Sequence, residues 1–323
     1  MMLYLNDNDI AAMGTDWHAL RDTVRHALMM DAAGDSAHPI KPYLRFQNPQ
    51  NRIIAMPAYV GGDIGLSGMK WIASFPGNVE KGLPRAHNTV ILNHIDTGEP
   101  LAFFHSARLS GLRTAAVSSL MVQAYMDARQ PVSVCLGILG WGPIGRLHLE
   151  MCAAMLGEQL EQVYIYDPRG IDPITIPEVL RFKTVIAGNW QEVYRHADIM
   201  ATCTVASSRY INEKPREGTL LLGVSLRDYL PESVAHLKAI VVDDWDEVCR
   251  ENTDIEQLHQ KHGLHKEAVH TLADVVCGQR LRSVDRLEPV FFNPMGLAIF
   301  DIAAAGYYWR KAMEHGIGVK LSV

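Results

Sequence analysis

A glycine-rich turn lies near the middle of this chain, between an apolar run and a segment with helical spacing. The run covers residues 132–139, and the turn is Gly140-Trp141-Gly142-Pro143-Ile144-Gly145. Asp167 then follows a second apolar run, residues 163–166. This order of strand, turn, helix, strand and acid is typical of a unit that binds a dinucleotide. It restricts the central chain to alternating strands and helices and leaves a long N-terminal region for another task.

The three glycines and the acid have distinct tasks in such a unit. Gly140 permits the tight turn, Gly142 lets the backbone approach the pyrophosphate, and Gly145 lets the helix pack on the strand. The free N–H groups at the helix N-terminus favour phosphates. A carboxylate at Asp167 accepts hydrogen bonds from the ribose hydroxyls and repels a 2′-phosphate, which favours NAD over NADP. Arg169 lies close enough in sequence to accommodate a phosphate and weakens that preference.

Length, charge and cysteine usage narrow the class of protein. The chain has 323 residues, enough for two domains, and 48% hydrophobic residues, as in ordinary globular proteins. The net charge of -6 favours neither nucleic acid nor an anionic membrane as partner, so we expect a small-molecule substrate. No apolar run approaches the roughly 20 residues that span a bilayer, and the N-terminus lacks a basic signal region. The five dispersed cysteines fit a reducing cytoplasm, where we place the protein.

The hydrophobic pattern differs on the two sides of the glycine turn. Upstream, helical spacing and short alternating runs indicate an antiparallel sheet with helices. The helices are expected at 16–33 and 107–128, and the strands at 52–60, 64–73, 89–95 and 100–105. Downstream, short β-branched runs alternate with helical segments, which indicates a parallel sheet. These runs are 184–187, 199–204, 219–224 and 239–242, and a last helix is expected over 295–315. The fold class is α/β, a Rossmann-type doubly wound parallel sheet domain plus a mixed α+β domain.

The connection between Asp167 and Thr184 departs from the usual pattern, because it carries Pro168, Pro173 and Pro177. Two of these prolines, Pro173 and Pro177, cannot both lie inside one regular helix. We expect a shortened, loop-like crossover with one or two helical turns that start at Pro177 as the first helical residue.

Two cations of the N-terminal region are candidate ligands for an anion. Lys70 interrupts an apolar strand, either as a snorkelling edge residue or as a partly desolvated amine that faces a carboxylate substrate. Arg113 falls near the start of the long helix, where it opposes the helix dipole. A bound anion would reverse that cost, and a plain surface position is the alternative. The residues alone leave both choices open.

Other polar clusters favour structural roles. Four histidines lie among charged residues without an HExxH motif or paired cysteines, which favours a solvated surface over a metal site. They are His259, His262, His265 and His270. The acidic run at 243–247 follows a strand and is expected to cap the next helix. Motifs for covalent hydrolysis or phosphoryl transfer are absent from the sequence.

Several stretches resemble the ornithine cyclodeaminase/mu-crystallin family over nearly the whole chain. They are Gly68-Met69-Lys70-Trp71, Leu112-Arg113-Thr114-Ala115-Ala116 and the glycine turn. Four more are similar to the family's branch of N-(2-amino-2-carboxyethyl)-L-glutamate dehydrogenases, which act in L-2,3-diaminopropionate biosynthesis for siderophores. These are Lys41-Pro42-Tyr43-Leu44-Arg45, Arg52-Ile53-Ile54-Ala55-Met56-Pro57, Val241-Val242-Asp243-Asp244-Trp245 and Asn293-Pro294-Met295-Gly296.

The resemblance implies a homodimer with two domains in each subunit. Residues 1–115 and 300–323 would form a substrate-binding and dimerisation domain, and residues 116–299 an NAD-binding Rossmann domain. The implied cofactor contacts are Thr89, Arg113, Thr114, Gly140, Gly142, Pro143, Ile144, Gly145, Asp167, Thr204, Val224 and Ser225. The implied substrate contacts are Lys41, Arg45, Lys70, Arg113 and Met295. Lys70 and Asp228 are the candidate catalytic residues.

Three departures from the family pattern argue against cyclodeamination of ornithine. The cyclising members carry an acid where this chain has Ala55 and an Asp-Ser pair where it has Asn293-Pro294. They also place a catalytic acid just after the strand that ends here at Val224, where this chain offers Asp228.

The resemblance therefore implies oxidative cleavage of an amino-acid conjugate, N-(2-amino-2-carboxyethyl)-L-glutamate, with NAD as the hydride acceptor. Two alternatives stay open. One is an amino-acid dehydrogenase or ketimine reductase that acts on a simpler substrate. The other is a non-catalytic, crystallin-like nucleotide-binding protein.

Overall fold

The computed structural model describes residues 2–48 and 50–322 and divides into two compact units. Unit 1 comprises Met1–Val117 and Gly296–Val323, and unit 2 comprises Ser118–Met295. These limits fall a few residues from the domain limits expected from the sequence. The roles expected for the two domains stay predictions at this point.

The N-terminal part of the chain forms short helices and the strands of an extended sheet. Its elements are β1 (Met2–Asn6), α1 (Asp7–Met13), α2 (Trp17–Ala32), β2 (Ser36–Ala37), β3 (Tyr43–Arg45), β4 (Arg52–Val60), β5 (Leu66–Ser74), β6 (Ala86–His94), β7 (Pro100–His105) and α3 (Ala107–Arg129).

Strands and helices then alternate through unit 2, and the chain ends with a long helix and a short strand in unit 1. The elements of unit 2 are β8 (Val134–Leu139), α4 (Pro143–Leu156), β9 (Leu160–Tyr166), α5 (Glu178–Arg181), β10 (Thr184–Ile186), α6 (Trp190–His196), β11 (Ile199–Thr202), β12 (Leu220–Leu222), α7 (Pro231–Val234), β13 (Ala239–Val242), α8 (Trp245–Val248), α9 (Asp254–His262), β14 (His270–Thr271), α10 (Leu272–Val276) and β15 (Val290–Phe292). The last two elements are α11 (Ala298–His315) and β16 (Val319–Leu321).

Unit 1 is built on sheet A, whose strands run in the order β16-β1-β7-β6-β5-β4-β2, with β3 also paired to β4. Its pairings are antiparallel except for the parallel pair of β1 and β7. Burial alternates along β4, where Met56, Ala58 and Val60 are buried and their neighbours are half-buried. Helix α11 packs on α2, β4 and β5. A Cβ on Gly68 of β5 would lie 3.0 Å from Ile302 Cδ1, which places α11 on the buried face.

Unit 2 is built on sheet B, whose strands run in the order β10-β9-β8-β11-β12-β15-β13-β14. All of the pairings recorded within residues 118–295 are parallel. Strands β11, β12, β13 and β15 are buried along their whole length, as in parallel sheets that are covered on both faces. The chain proceeds from β8 to β9 and β10 on one side and continues with β11 on the other. This reversal makes unit 2 the predicted Rossmann-type doubly wound domain.

The crossover after β9 is as short as the prolines predicted. A single 3₁₀ turn covers Pro173–Thr175, and α5 has only the residues Glu178–Arg181. One detail of the prediction is wrong, because Pro177 has an extended ψ of 130° and precedes the helix as its cap. The first helical residue is therefore Glu178.

The last helix begins at Ala298 and not at Met295 as the spacing suggested. Gly296 has a φ of +86°, which a right-handed helix does not contain, so the helix can start only after it. Gly316, with a φ of +66°, ends the helix as predicted. Within the described residues, none of the helices has the length and apolar character that crossing a membrane requires.

Candidate active site

Lys70 lies in the interior of sheet A and not at its edge. It belongs to β5, which pairs with β4 on one side and β6 on the other, and only 1% of the residue is exposed. Its Nζ donates hydrogen bonds to Ser110 Oγ at 2.8 Å and to Asp301 Oδ1 at 3.0 Å. The alternative of a snorkelling edge lysine therefore does not apply, and Lys70 is a desolvated amine.

Asp301 joins Lys70 to Arg113. It lies in the first turn of α11, it is 2% exposed, and its Oδ1 also accepts a hydrogen bond from Arg113 Nε at 2.8 Å. Arg113 is in the second turn of α3, which begins at Ala107 as predicted. Ser110 and Arg113 are three residues apart and share one face of α3. Arg113 is buried and paired with the carboxylate of Asp301, so the alternative of a plain surface arginine does not apply.

Sequence patterns did not single out Asp301, although a signal was present. Asp301 is the lone charged residue in the apolar run 297–306, at the start of a helix that is buried along most of its first half. A buried acid in such a run requires a paired cation.

Lys41 and Gly296 complete this cluster. Lys41 is 4% exposed, and its Nζ donates to the carbonyl oxygen of Gly296 at 2.6 Å. A Cβ on Gly296 would lie 2.6 Å from Arg113 Nη1, so the turn at Gly296 approaches the guanidinium too closely for a side chain. The stretch Asn293-Pro294-Met295-Gly296 thus contributes a backbone position to the cluster.

The cluster gathers positive charge in a buried place. Burial and the neighbouring charges of Arg113 and Lys41 lower the pKa of Lys70 to about 8, while Asp301 acts in the opposite direction. Lys70 and Arg113 share the carboxylate of Asp301, and the charge of Lys41 lies near them. Such a group favours binding of further carboxylates.

Arg45 lies at the surface of unit 1, unlike Lys41 and Lys70. It is exposed, and its guanidinium carbon is 5.6 Å from the centroid of the Tyr43 ring. Arg52 is the strand partner of Arg45 and lies 5.5 Å from the same ring. These residues form a second cationic group at the β3–β4 edge, and substrate binding by Arg45 stays a prediction.

Thr89 points away from the Lys70 cluster. Val90 is the strand partner of Lys70, so the preceding residue, Thr89, lies on the opposite face of sheet A beside its own partner, Trp71. Thr114 follows Arg113 on α3, and its hydroxyl donates to the Ser110 carbonyl at 2.8 Å. The structure therefore brings Lys41, Lys70 and Arg113 together but not Thr89.

The glycine turn of unit 2 has the geometry that each of its glycines predicts. Gly140 has a φ of +92°, and a Cβ there would lie 2.5 Å from the carbonyl oxygen of Cys203. A Cβ on Gly145 would overlap the carbonyl oxygen of Gly140. Gly142 caps α4, Pro143 is its first residue and Ile144 its second. A Cβ on Gly142 would meet no described atom within 4 Å, so the helix N-terminus faces open space.

Asp167 follows β9 and faces the glycine turn. It accepts a hydrogen bond from the Trp141 N–H at 2.9 Å and a bidentate pair from Arg169 Nε and Nη2 at 2.9 and 2.8 Å. The hydrogen bonds from Arg169 lower the pKa of Asp167 to about 2, so the carboxylate is ionised at neutral pH. The turn, the open helix N-terminus and the ionised acid together fit an adenosine ribose and a pyrophosphate.

A second acid lies at the ends of strands β11 and β12. Asp228 is 1% exposed and accepts hydrogen bonds from the hydroxyls of Thr204 and Ser225. The structure thus joins three of the predicted site residues in one network, next to Val224. Burial raises the pKa of Asp228.

Asp254 supports that network, although the sequence did not indicate it as a site residue. Its Oδ2 accepts from the backbone N–H of Asp228 at 3.1 Å, and Arg209 Nε donates to its Oδ1 at 2.6 Å. Burial raises the pKa of Asp254 to about 7. Leu226, with a φ of +70°, shows that this loop has an unusual backbone shape. Asp254 is the first residue of α9, a position where an acid is common, so the sequence gave no sign of its long-range contacts.

Met295 and the acidic run at 243–247, which the sequence also singled out, have hydrogen-bond partners within unit 2. The Met295 N–H donates to Asp243 Oδ1 at 2.9 Å. Asp244 accepts from the Glu247 N–H and caps α8, which confirms the prediction for the acidic run. Within residues 2–48 and 50–322, no group of three or more His, Cys, Asp or Glu side chains is arranged to hold a metal ion.

Comparison with known proteins identifies the family of this chain. Residues 8–316 match the model of the ornithine cyclodeaminase/mu-crystallin family, and the chain belongs to that family. It is 34% identical to the N-((2S)-2-amino-2-carboxyethyl)-L-glutamate dehydrogenase of Staphylococcus aureus (strain NCTC 8325 / PS 47), over 100% of this chain and 98% of that protein.

Two solved structures are similar over almost the full length. One is the Thermococcus litoralis Delta(1)-pyrroline-2-carboxylate reductase in complex with NADH and L-proline, with a TM-score of 0.85, 26% identity, and coverage of 99% of this chain and 100% of that chain. The other is an archaeal alanine dehydrogenase dimer with bound NAD, with a TM-score of 0.84, 26% identity and 99% coverage of both chains.

Proposed function

We propose that this member of the ornithine cyclodeaminase/mu-crystallin family is an NAD-dependent dehydrogenase that cleaves N-(2-amino-2-carboxyethyl)-L-glutamate. The observation that carries the proposal is the gathering of three buried cations, Lys41, Lys70 and Arg113, in one part of unit 1. A substrate with three carboxylates matches such a group better than a substrate with one. The full-length relative from S. aureus supports the same substrate.

NAD is the cofactor of the proposed reaction, and unit 2 provides the residues that would hold it. The N-terminus of α4 at Gly142 faces open space and would receive the pyrophosphate. Asp167, ionised and adjacent to the turn, would accept hydrogen bonds from the ribose hydroxyls. Bound NAD supplies an acceptor for one hydride.

The proposed chemistry oxidises a secondary amine and then hydrolyses it. The bond between hydrogen and the α-carbon of the glutamate part breaks, and a carbon–nitrogen double bond forms as the amine proton leaves. Water adds to this imine, and cleavage of the carbon–nitrogen bond releases 2-oxoglutarate and L-2,3-diaminopropionate. The balance is one conjugate, one NAD and one water consumed, and two acids, one reduced cofactor and one proton formed.

The side chains of unit 1 would bind and orient the substrate. Lys70 and Arg113 would each pair with a carboxylate, and their shared contact with Asp301 fixes both cations before substrate arrives. Correct orientation of the reacting carbon is the main contribution that such residues make to a hydride transfer.

Proton transfer during water addition needs a group that gains and loses protons near neutral pH. Lys70 meets this need, because its pKa of about 8 allows both forms. Asp228 is the second candidate, since burial raises its pKa and two hydroxyls hold it in place. Both assignments are part of the proposal.

A reductase or dehydrogenase that acts on a simpler imino or amino acid is the second candidate function. The similarity in fold to the T. litoralis pyrroline-carboxylate reductase favours this alternative. Such a substrate has one carboxylate, and it would leave part of the cationic cluster without a ligand.

The proposed function is tested by supplying purified protein with the conjugate and NAD. We expect reduced nicotinamide to form, followed by its ultraviolet absorbance. It should appear together with equal amounts of 2-oxoglutarate and L-2,3-diaminopropionate. Turnover of alanine or of pyrroline-2-carboxylate, without turnover of the conjugate, would favour the simpler substrate. NAD binding without turnover of any of these compounds would favour the crystallin-like alternative.

We further propose that the protein is a cytoplasmic homodimer that contacts its partner through the face of sheet A opposite Lys70. A row of half-buried apolar residues crosses five strands of this face in register, namely Pro57, Met69, Ile91, Phe103 and Tyr4. An apolar row of this length is typical of a surface that a protein partner covers. The dimeric archaeal alanine dehydrogenase supports the proposal. The product would enter L-2,3-diaminopropionate biosynthesis for a siderophore.

A further inference from the structure

Asn88 is a buried side chain whose amide oxygen has no hydrogen-bond donor. The residue is 4% exposed, and within the described part of the chain its Oδ1 has no partner. An unsatisfied buried acceptor destabilises the folded state, so a native structure rarely keeps one without a use. The donor that Asn88 requires therefore comes from outside the described side chains.

The register of sheet A places Asn88 beside Lys70. Strand β6 pairs Val90 with Lys70 and Asn88 with Ile72. Directly opposed residues share a face, and Lys70 and Ile72 share a face because they are two residues apart. Asn88 is thus the diagonal neighbour of Lys70 on the buried face of the sheet.

The backbone of Asn88 is also tied to the helix that carries Arg113. The Ser106 N–H donates to the Asn88 carbonyl at 3.1 Å, and Ser106 Oγ accepts from the Leu109 N–H at the start of α3. This contact fixes the position of Asn88 relative to α3.

A second unsatisfied oxygen belongs to the same cluster. Asp301 uses Oδ1 for both Lys70 and Arg113, while its Oδ2 is buried without a partner among the described residues. The cluster therefore offers cations to carboxylates and also two oxygens that can accept N–H groups. Cations alone would repel an ammonium, so a substrate that carries one needs such oxygens.

We propose that Asn88 is a substrate-specificity residue whose amide oxygen, with Asp301 Oδ2, binds the primary ammonium of the substrate. This inference rests on the proposed function, because it takes the conjugate as substrate. The ammonium of its aminocarboxyethyl part carries three N–H donors and a positive charge, and it matches one neutral and one anionic acceptor.

The test compares two ligands that differ only in that ammonium. The first is the conjugate, and the second is N-(2-carboxyethyl)-L-glutamate, in which hydrogen replaces the primary amine. Both are titrated calorimetrically into the full-length protein saturated with NADH, which prevents turnover. We expect Asn88→Leu to weaken binding of the conjugate by about tenfold, the value of one lost buried hydrogen bond, and to change binding of the analogue by less than about twofold.

A stability measurement separates this role from a structural one. Removal of an unsatisfied polar group should leave the melting temperature of Asn88→Leu equal to or above that of the wild type. Asn93→Leu, on the same strand, is the matched control. Its amide donates to the Gly98 carbonyl at 2.9 Å, so this variant should melt earlier and bind both ligands as the wild type does.

Equal weakening of both ligands, or no weakening of either, would overturn the inference; the second result would show that water satisfies the amide. If Asn88→Leu does not fold, Asn88→Ala is titrated in the same way and judged by the same outcomes. A wild type that binds the conjugate but does not turn it over contradicts the proposed function alone. A wild type that binds neither ligand overturns both.

Discussion

Burial and neighbouring charges set the pKa of the Lys70 ammonium, and we therefore expect the activity to depend on pH. Its pKa of about 8 means that the free protein loses this positive charge above that pH. Because the charged form attracts the substrate carboxylate, kcat/KM should fall as the pH rises through about 8. The pH profile of kcat/KM, recorded over about two pH units on either side of that pKa, checks this.

Lys70→Arg is the control for that profile. A guanidinium stays protonated over this range, so the limb near pH 8 should vanish even if overall activity is lower. A wild-type profile that is flat across the range would show that Lys70 is not the titrating group.

Asp301 is the only carboxylate that we find in contact with Lys70 and Arg113 among the described residues, and its removal should affect both. Asp301→Asn would leave two buried cations without a counter-ion. We expect the free energy of unfolding to fall by about 3 kcal/mol, as when one partner of a buried ion pair is removed. The limb of the pH profile should also move to lower pH, because the group that holds the proton on Lys70 is lost.

Urea unfolding measures the first effect, and Glu213→Gln provides the comparison. Glu213 pairs with Arg195 at 2.7 Å on the surface, where such a pair contributes only about 0–1 kcal/mol. Equal losses in the two variants would contradict a special role for Asp301.

The sequence predicted the identity of the main cations but not the residues that complete the site. Lys70 was visible because it interrupts an apolar strand, and Arg113 because a cation near the start of a helix opposes the helix dipole. Asp301 and Asn88 come from distant positions, and only the packing of α11 on β5 and the pairing of β6 with β5 bring them to Lys70. Such contacts depend on the register of the strands and on where a distant helix packs. The hydrophobic pattern of the sequence predicts neither of these.

The turn that joins β8 to α4 contains two glycines whose substitution by alanine should affect stability differently. Gly145→Ala would place a methyl group on the Gly140 carbonyl oxygen, so we expect lower stability, by about 1–3 kcal/mol, and loss of NAD binding. Gly142→Ala should melt as the wild type does, because a Cβ there meets open space and its φ of -80° suits alanine. It should still bind NAD at least about tenfold more weakly, since the methyl group obstructs the pyrophosphate.

Thermal unfolding with and without NAD, followed by titration of the cofactor, distinguishes these outcomes. Full NAD affinity in Gly142→Ala would contradict the placement of the pyrophosphate at this turn.

Long and strongly patterned elements could be predicted from the sequence, and short ones could not. Strands β4 and β5 and helices α2 and α3 agree with the expected ranges to within a few residues. Strand β15 has only the residues Val290–Phe292, and it inserts between β12 and β13 in sheet B. A three-residue apolar run carries no periodicity, so neither its existence nor its place in the sheet could be read from the chain.

For the whole molecule, the apolar row on sheet A predicts how the oligomeric state responds to charge. Met69→Glu places a carboxylate in the middle of the row, between its strand partners Pro57 and Ile91. We expect a monomer by light scattering coupled to gel filtration, because a buried unpaired charge opposes association. The NAD contacts proposed for unit 2, at Gly142 and Asp167, are not altered by this change.

Val132→Glu is the matched control, because Val132 is an apolar residue of unit 2 that is 95% exposed. It should leave the oligomeric state of the protein as it is. A Met69→Glu variant that remains a dimer would exclude this face as the contact.

Unit 1 is made of two separated stretches of chain, and this determines the order in which its parts become available during synthesis on the ribosome. Unit 2 is continuous in sequence, and all of it is translated before Gly296. Helix α11, which covers the buried face of sheet A, and β16, which pairs with β1, are translated after unit 2. A nascent chain therefore carries Lys70 and Arg113 without the carboxylate of Asp301 until the segment that follows unit 2 emerges. The pairing of charges in the candidate site is completed only after the whole of unit 2 has been translated.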